Sequence, residues 1–325
     1  MIGSRACAHM LHEAHRRVPM RLLVFPILLL LPSACRSPVP ADTGPREPCL
    51  SPYLPLVTVP LEFTSIPGGS FWMGSPPDEV GRLEGEGWRE VELSHDTCVQ
   101  RTELTRQQFF VLMGYQTPIL DGCGDGDCPV EWVGWHEAAA AANALNDILE
   151  LPSCYRCQGE GPTVRCRPTQ DPTACGGFRL PTEAEWERAA RGGAPTPFTT
   201  GGALVEGTEG DCDAELMLDD GHALADLAWF CGNSEERSHP VGRLEPNAWG
   251  LFDGAGNVWE WTGDWYEDAP DGDLDPAGPP TGLRRVARGG SWCSAPGSVR
   301  LASRAGAAPD EAFASVGFRL ARTVR

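Results

Sequence analysis

The chain has 325 residues, 41% hydrophobic and 22% charged, a composition that supports a packed core and argues against a disordered polymer. All 26 basic residues are arginine, which excludes a Schiff-base lysine, a pyridoxal-phosphate anchor and a P-loop lysine. The formal net charge is −19, and since four Arg against one Glu give residues 1–34 a charge of +3, the remainder carries −22. Such a surface repels phosphate backbones and argues against a nucleic-acid partner.

The first segment reads as an address. Arg16, Arg17 and Arg21 precede an apolar run from Leu22 to Leu31, followed by Ser33, Ala34 and Cys35. The run is too short to span a bilayer, so residues 1–34 are expected to be a signal peptide. Met20, directly before Arg21, is an alternative start that would make residues 1–19 an extension. Cys35 stands where a bacterial lipoprotein is cleaved and lipidated, although Pro32 takes the place usually held by leucine. The alternative is a secreted chain cut near Ala34. Arg36 supplies no acidic retention signal, which points to the outer membrane.

Residues 35–62 read as the lipidated cysteine and an extended tether, with prolines at 38, 40, 45, 48, 52, 55 and 60. From residue 63 to 325 no comparable break occurs, so one domain is expected there. Three helices can be placed in it. Thr105 and Gln108 form a capping box ahead of Phe109, Phe110 and Leu112. His136 to Leu149 is alanine-rich, with Ala140, Ala144 and Ile148 on one stripe. Thr182 and Glu185 form a second capping box, and Gly192 and Gly193 end that helix. The rest is short apolar runs broken by Gly, Pro and Asp, without an internal repeat, which predicts an irregular α+β domain. Trp259, Trp261 and Trp265 suit a strand with one buried aromatic face, read as core packing rather than a stacking platform for a ligand.

Export makes disulfides the natural reading of thirteen cysteines. Cys154, Cys157, Cys166 and Cys175 lie in a Gly/Pro-rich stretch without the second close pair of a zinc ribbon, so 151–177 is expected to be a disulfide-stapled surface insertion. Cys123 and Cys128 bracket a turn and should close a small loop. Of Cys49, Cys98, Cys212, Cys231 and Cys293, at least one is left unpaired or paired between chains. His95, His136, His222 and His239 show no H-x3-H or H-E-x-x-H spacing, which gives a three-histidine iron site no support.

Six segments in order carry a family resemblance. They are Ile66 to Gly74 (IPGGSFWMG), Arg179 to Arg191 (RLPTEAEWERAAR), Asn247 to Asp253 (NAWGLFD), Gly256 to Trp261 (GNVWEW), Arg288 to Trp292 (RGGSW) and Gly317 to Arg319 (GFR). Together they resemble the formylglycine-generating enzyme, or sulfatase-modifying factor, domain. The resemblance implies an elaborated C-type-lectin-like α+β fold with little regular secondary structure. It also implies a calcium ion held by the carboxylates of Asp253 and Glu260 and the carbonyls of Gly256 and Val258, hard oxygen ligands on a loop. Asp211, Asp213, Asp219 and Asp220 are acidic enough for a second such site but do not align with one.

The family's activity is O₂-dependent oxidation of the cysteine in a sulfatase-type Cys-x-Pro-x-Arg peptide to formylglycine, with Cu(I) between two thiolates. Here Cys293 stands one position early after Gly289-Gly290-Ser291, and the residue five positions on is Ser298. The copper pair is therefore incomplete. Cys293 is the candidate catalytic thiol, with Arg288 or Arg300 to lower its pKa and Cys212 or Cys231 as possible spatial partners; the competing reading is a core cysteine or half a disulfide. Two functions follow: a formylglycine-generating oxidase, or a noncatalytic calcium-stabilised binding lipoprotein presenting a lectin-like cleft to a peptide or glycan. Other oxidative chemistry is a third.

Overall fold

Both capping boxes form. The computed structural model describes residues 60–119, 126–268 and 272–324, together with 49, 51, 52, 54 and 123; the expected signal peptide and Cys35 lie outside them. Helix α1, Arg106–Met113, starts where Thr105 Oγ1 accepts the Gln108 amide and Gln108 returns its side-chain oxygen to the Thr105 amide. It stops at Gly114 in the left-handed region (φ 75°). Helix α2 is Trp135–Ile148, and α3, Glu183–Arg191, repeats the box at Thr182 and ends on Gly192. The buried face of α2 corrects the expected stripe: Ala138, Ala141, Ala142 and Leu145 face the core, whereas Ile148 is 51% exposed. The alanine run offers several stripes of equal apolarity, so only the packing partners select one.

The strands are short. β1 (Phe63–Ile66), β4 (Thr97–Gln100) and β11 (Ala321–Thr323) form an antiparallel sheet that brings the two ends of the domain together. β2 (Gly69–Met73) and β3 (Arg89–Leu93) make a separate hairpin sheet. The insertion is a second hairpin, β5 (Tyr155–Gln158) with β6 (Arg165–Pro168). The last sheet has the order β10-β7-β8-β9, from Val316–Gly317, Trp259–Trp265, Arg285–Arg288 and Arg304–Ala307. Trp259 and Trp261 are core residues, the Trp261 indole donating to the Val133 carbonyl (2.9 Å), and a register shift before Trp265 breaks the alternation. This irregular α+β architecture is that of the elaborated C-type-lectin-like fold.

Disulfides replace part of what long strands would supply. Cys123–Cys128 closes its loop, and the insertion cysteines nest as Cys154–Cys175 around Cys157–Cys166. Cys49–Cys98 and Cys212–Cys231 account for four of the remaining five. Among the described residues the first strand starts at Phe63, but contacts with the domain reach further back. Leu54 and Leu61 are each 1% exposed in the main core, and Cys49 is bonded to β4.

Helix α3 shows why its motif has so many charges. All nine of its residues are buried, and each ion has partners, as burial of charge requires. Glu183 takes a fork of Nε and Nη2 from Arg304 (2.7 and 2.7 Å), Glu185 takes both terminal nitrogens of Arg179 (2.6 and 2.7 Å), and Glu187 receives Arg191 and Arg288. Arg188 donates to the carbonyls of Pro67, Gly68 and Ser70. The charges weld the helix to four other segments and leave none of its side chains for solvent.

Beside this network, the buried Asp264 carboxylate accepts the Glu183 amide (2.7 Å). Burial, and then the Glu183 charge, push its carboxyl up to about 8. The folded chain therefore holds a proton that the unfolded chain releases above about pH 4. This group's contribution to stability is complete below that pH and is lost as pH rises to about 8, at up to ~1.4 kcal/mol per pH unit. His136 and His239, whose pKa values are lowered chiefly by burial, act in the opposite direction near pH 6, so the informative comparison is with Asp264→Asn. That variant should flatten the fall in melting temperature between pH 5 and pH 8; an unchanged slope would mean that Asp264 is ionised in the fold.

Candidate functional site

The Gly-Gly-Ser-Trp segment leaves β8 through two residues in the left-handed region, Gly289 (φ 96°) and Gly290 (φ 76°). A Cβ at Gly290 would sit 2.6 Å from the Ser298 carbonyl, so only glycine lets the strand end press against the 3₁₀ turn Pro296–Ser298. Ser291 and Ser294 then close a tight turn: the Ser291 amide donates to Ser294 Oγ (3.0 Å) and the Ser294 amide to the Ser291 carbonyl (2.9 Å). Neighbouring loops clamp it, with Trp292 donating to the Asn257 carbonyl (2.8 Å) and Ser234 Oγ to the Trp292 carbonyl (2.6 Å).

Cys293 stands half-buried on this turn, 3.5 Å from Ser291 Oγ. Cys231 does approach the turn, its amide donating to the Ser294 carbonyl (3.0 Å), but it is bonded to Cys212, so neither supplies a second thiolate. Arg288 is committed to Glu187 and the carbonyls of Leu301, Ala302 and Ser303, and Arg300 to Glu79 and Glu86. Both guanidinium groups serve buried carboxylates instead of Cys293.

The Asp253–Glu260 loop lies directly beneath. Asp253 and Asn257 take positive φ (53° and 57°), and Gly256 must be glycine because a Cβ would fall 2.2 Å from the Trp229 carbonyl. Val258 is fully buried. The loop was expected to pair Asp253 with Glu260, but the Glu260 carboxylate is already engaged. Arg319 donates to both of its oxygens (2.6 and 2.7 Å) and the Trp186 indole to one (2.8 Å). The side chain that hydrogen-bonds the Asp253 carboxyl is Glu103, from the segment between β4 and α1. One Glu103 oxygen accepts the Asn257 side-chain amide (3.1 Å), and one Asp253 oxygen accepts the Gly242 amide (2.6 Å). The other two, Glu103 Oε2 and Asp253 Oδ1, are buried and have no donor except a proton shared between the two carboxyls. Burial and then mutual repulsion push Glu103 well above the usual carboxylate range, and burial raises Asp253. Two such carboxyls can exchange the shared proton for a hard cation. Glu103 was missed because its only signal is an acid placed two residues before a capping threonine, which is ordinary on a surface.

The remaining candidates do not converge. His95 bridges Glu185 (2.9 Å) and Asp275 (3.3 Å), His136 accepts the Cys166 amide (3.1 Å), and His239 stacks on Trp229. His222 lies beside Asp220 on the exposed surface. Asp213, Asp219 and Asp220 accept amides of Glu215, Ala203 and His222 within their own loop, as turn caps. Among the described residues no group of three His, Cys, Asp or Glu side chains is placed to hold a metal ion.

Residues 57–324 match the family model described as a sulfatase-modifying factor enzyme 1-like domain. The formylglycine-generating enzyme of Thermomonospora curvata is 31% identical over 293 residues, covering 79% of this chain and 92% of its own length. The inactive C-alpha-formylglycine-generating enzyme 2 of Bos taurus is 33% identical over 204 residues, covering 59% of this chain and 57% of its own. Among solved structures, Treponema denticola variable protein 1 superposes with a TM-score of 0.68 at 28% identity, covering 84% of this chain and 98% of that one.

Proposed function

We propose that this chain, which belongs to the sulfatase-modifying factor family, is an exported, calcium-stabilised binding protein without formylglycine-generating activity, anchored through a lipid on Cys35 at a bacterial outer membrane. The observation that carries the reading is the turn after Gly290. Where Cu(I) would need two thiolates, the residue five positions after Cys293 is Ser298, whose hydroxyl does not stabilise the cuprous state, and Cys231, which approaches the turn, is bonded to Cys212. The inactive relative in Bos taurus is consistent with such a member. Five intact disulfides within the domain suit an oxidising compartment and so support export.

Calcium fits the residues present. Asp253 and Glu103 would supply carboxylate oxygens, and the carbonyls of Gly256 and Val258 would complete the set; Glu260 would hold the loop through Arg319. The ion would supply a structural positive charge that cancels the repulsion between two buried acids. The partner expected at the surface of such a domain is a peptide or protein segment.

The test is a calcium titration of the full chain followed by thermal unfolding, with Cu(I) and a Cys-x-Pro-x-Arg peptide assayed in parallel by mass spectrometry. Calcium at 100 times its Kd should add about 2.7 kcal/mol, roughly 5–10 °C in melting temperature. Glu103→Gln and Asp253→Asn should each remove most of that gain, and the peptide cysteine should stay unmodified. Formylglycine in the peptide would overturn the noncatalytic reading. A calcium response that survives both substitutions would overturn the ion's placement.

A further inference from the structure

The β2–β3 hairpin has two unlike faces. Phe71, Met73, Val91 and Leu93 point inward onto Ala184 of α3. Ser70, Trp72, Glu90 and Glu92 point outward, with Trp72 directly opposite Glu90 and Ser70 opposite Glu92. Trp88, just before β3, extends this outer face on the diagonal. Its indole stacks on that of Trp72 with ring centroids 5.0 Å apart and planes at 15°. Trp72 nevertheless remains 48% exposed. Leu274 bridges alongside Glu92 and is 62% exposed. Neither the Glu90 nor the Glu92 carboxylate has a hydrogen-bond or ion-pair partner among the described residues.

A half-exposed indole pair flanked by two unpaired carboxylates has a specific electrostatic character. The indole faces carry the negative lobe of the ring quadrupole, and the carboxylates add full negative charge beside them. A guanidinium meets both demands at once, because its plane stacks on the ring while its edge donates to a carboxylate. The long-range field agrees with the local one. A chain of net charge −19 attracts cationic partners and repels anionic bilayers and polyanions.

We propose that the outer face of the β2–β3 hairpin is a docking surface for a basic, arginine-bearing segment of a partner protein. Trp72 and Trp88 form the platform, Glu90 and Glu92 hold the cation, and Leu274 borders them. The face is small, so the contact is of the transient class, fast to exchange and sensitive to salt. It belongs to a different sheet from the Cys293 turn and the Asp253 loop, and it stands whether or not the chain binds calcium or turns over a substrate.

The probe is an eight-residue peptide of alternating arginine and glycine, titrated into the full chain and followed by indole fluorescence and calorimetry. Wild type should bind it saturably, and Trp72→Ala should weaken binding about fivefold or more. Glu90→Gln with Glu92→Gln should weaken it about tenfold. A lysine-for-arginine peptide should bind several times more weakly. All of these side chains are at the surface, so the variants should fold, and unchanged melting curves will verify that. The charge-matched control, Glu206→Gln with Glu215→Gln in an exposed loop, removes the same two charges and should change binding less than twofold. If the control weakens binding as much as the hairpin variant, the peptide is held by the general field alone and the proposal fails. It also fails if Trp72→Ala leaves binding intact, or if a neutral oligosaccharide binds in a Trp72-dependent manner while the arginine peptide does not.

Discussion

Arg319→Met should lower the unfolding free energy by about 3–5 kcal/mol, measured by urea denaturation, and it should do so more than any single surface change. The guanidinium is 1% exposed at its side chain and pairs in a two-pronged contact with the fully buried Glu260. It also donates to the carbonyls of Gln100, Arg101, Phe252 and Asp253. One side chain thus ties β7, the end of β4 and the Asp253 loop together. Its removal leaves a buried carboxylate without a counter-charge and four carbonyls short of a donor. Replacing both partners, as Glu260→Met with Arg319→Met, removes the stranded charge but not the stranded carbonyls, so the double variant should recover part of the loss and no more. Arg319 also lowers the cost of ionising Glu103 and Asp253. A loss below about 1 kcal/mol in the single variant would mean that water reaches Glu260.

What could be read from the residues was local. The two capping boxes form because a threonine, three spacers and a glutamine or glutamate satisfy their own amides wherever the helix is placed. Cys123–Cys128 was legible for the same reason, a short loop around turn residues. The nested order of Cys154–Cys175 around Cys157–Cys166 was not, since four cysteines allow three pairings and only the β5–β6 register puts Cys157 opposite Cys166. In the Arg179–Arg191 motif the helix was visible but its burial was not. Its charges look solvated until the arginines arriving from β8, β9 and the segment before α3 are seen to neutralise them. The Asp253–Glu260 loop was placed by likeness, and its glycine and positive-φ positions follow that placement. The carboxylate that meets Asp253 comes from Glu103, about 150 residues upstream, and no spacing rule links such distant positions.

The largest covalent effect is expected at Cys49–Cys98. The pair joins the middle of the proline-rich segment to β4 across 49 residues of sequence, with Cα atoms 5.6 Å apart. By chain entropy a loop of this length should contribute about 4 kcal/mol, against about 2 kcal/mol for the five-residue separation of Cys123–Cys128. Cys49→Ala with Cys98→Ala should therefore cost nearly twice as much stability as Cys123→Ala with Cys128→Ala, compared by urea unfolding under non-reducing conditions. The first variant should show a second effect that the other lacks. Leu54 and Leu61 dock on the core just beyond the disulfide. Once Cys49 is released, the segment from Cys49 to Pro60 should become cleavable by protease while the domain from Phe63 onward stays folded. If both pairs cost the same and cleavage does not change, the apolar contacts of Leu54 alone fix the segment. The disulfide would then be a consequence of that docking rather than its cause.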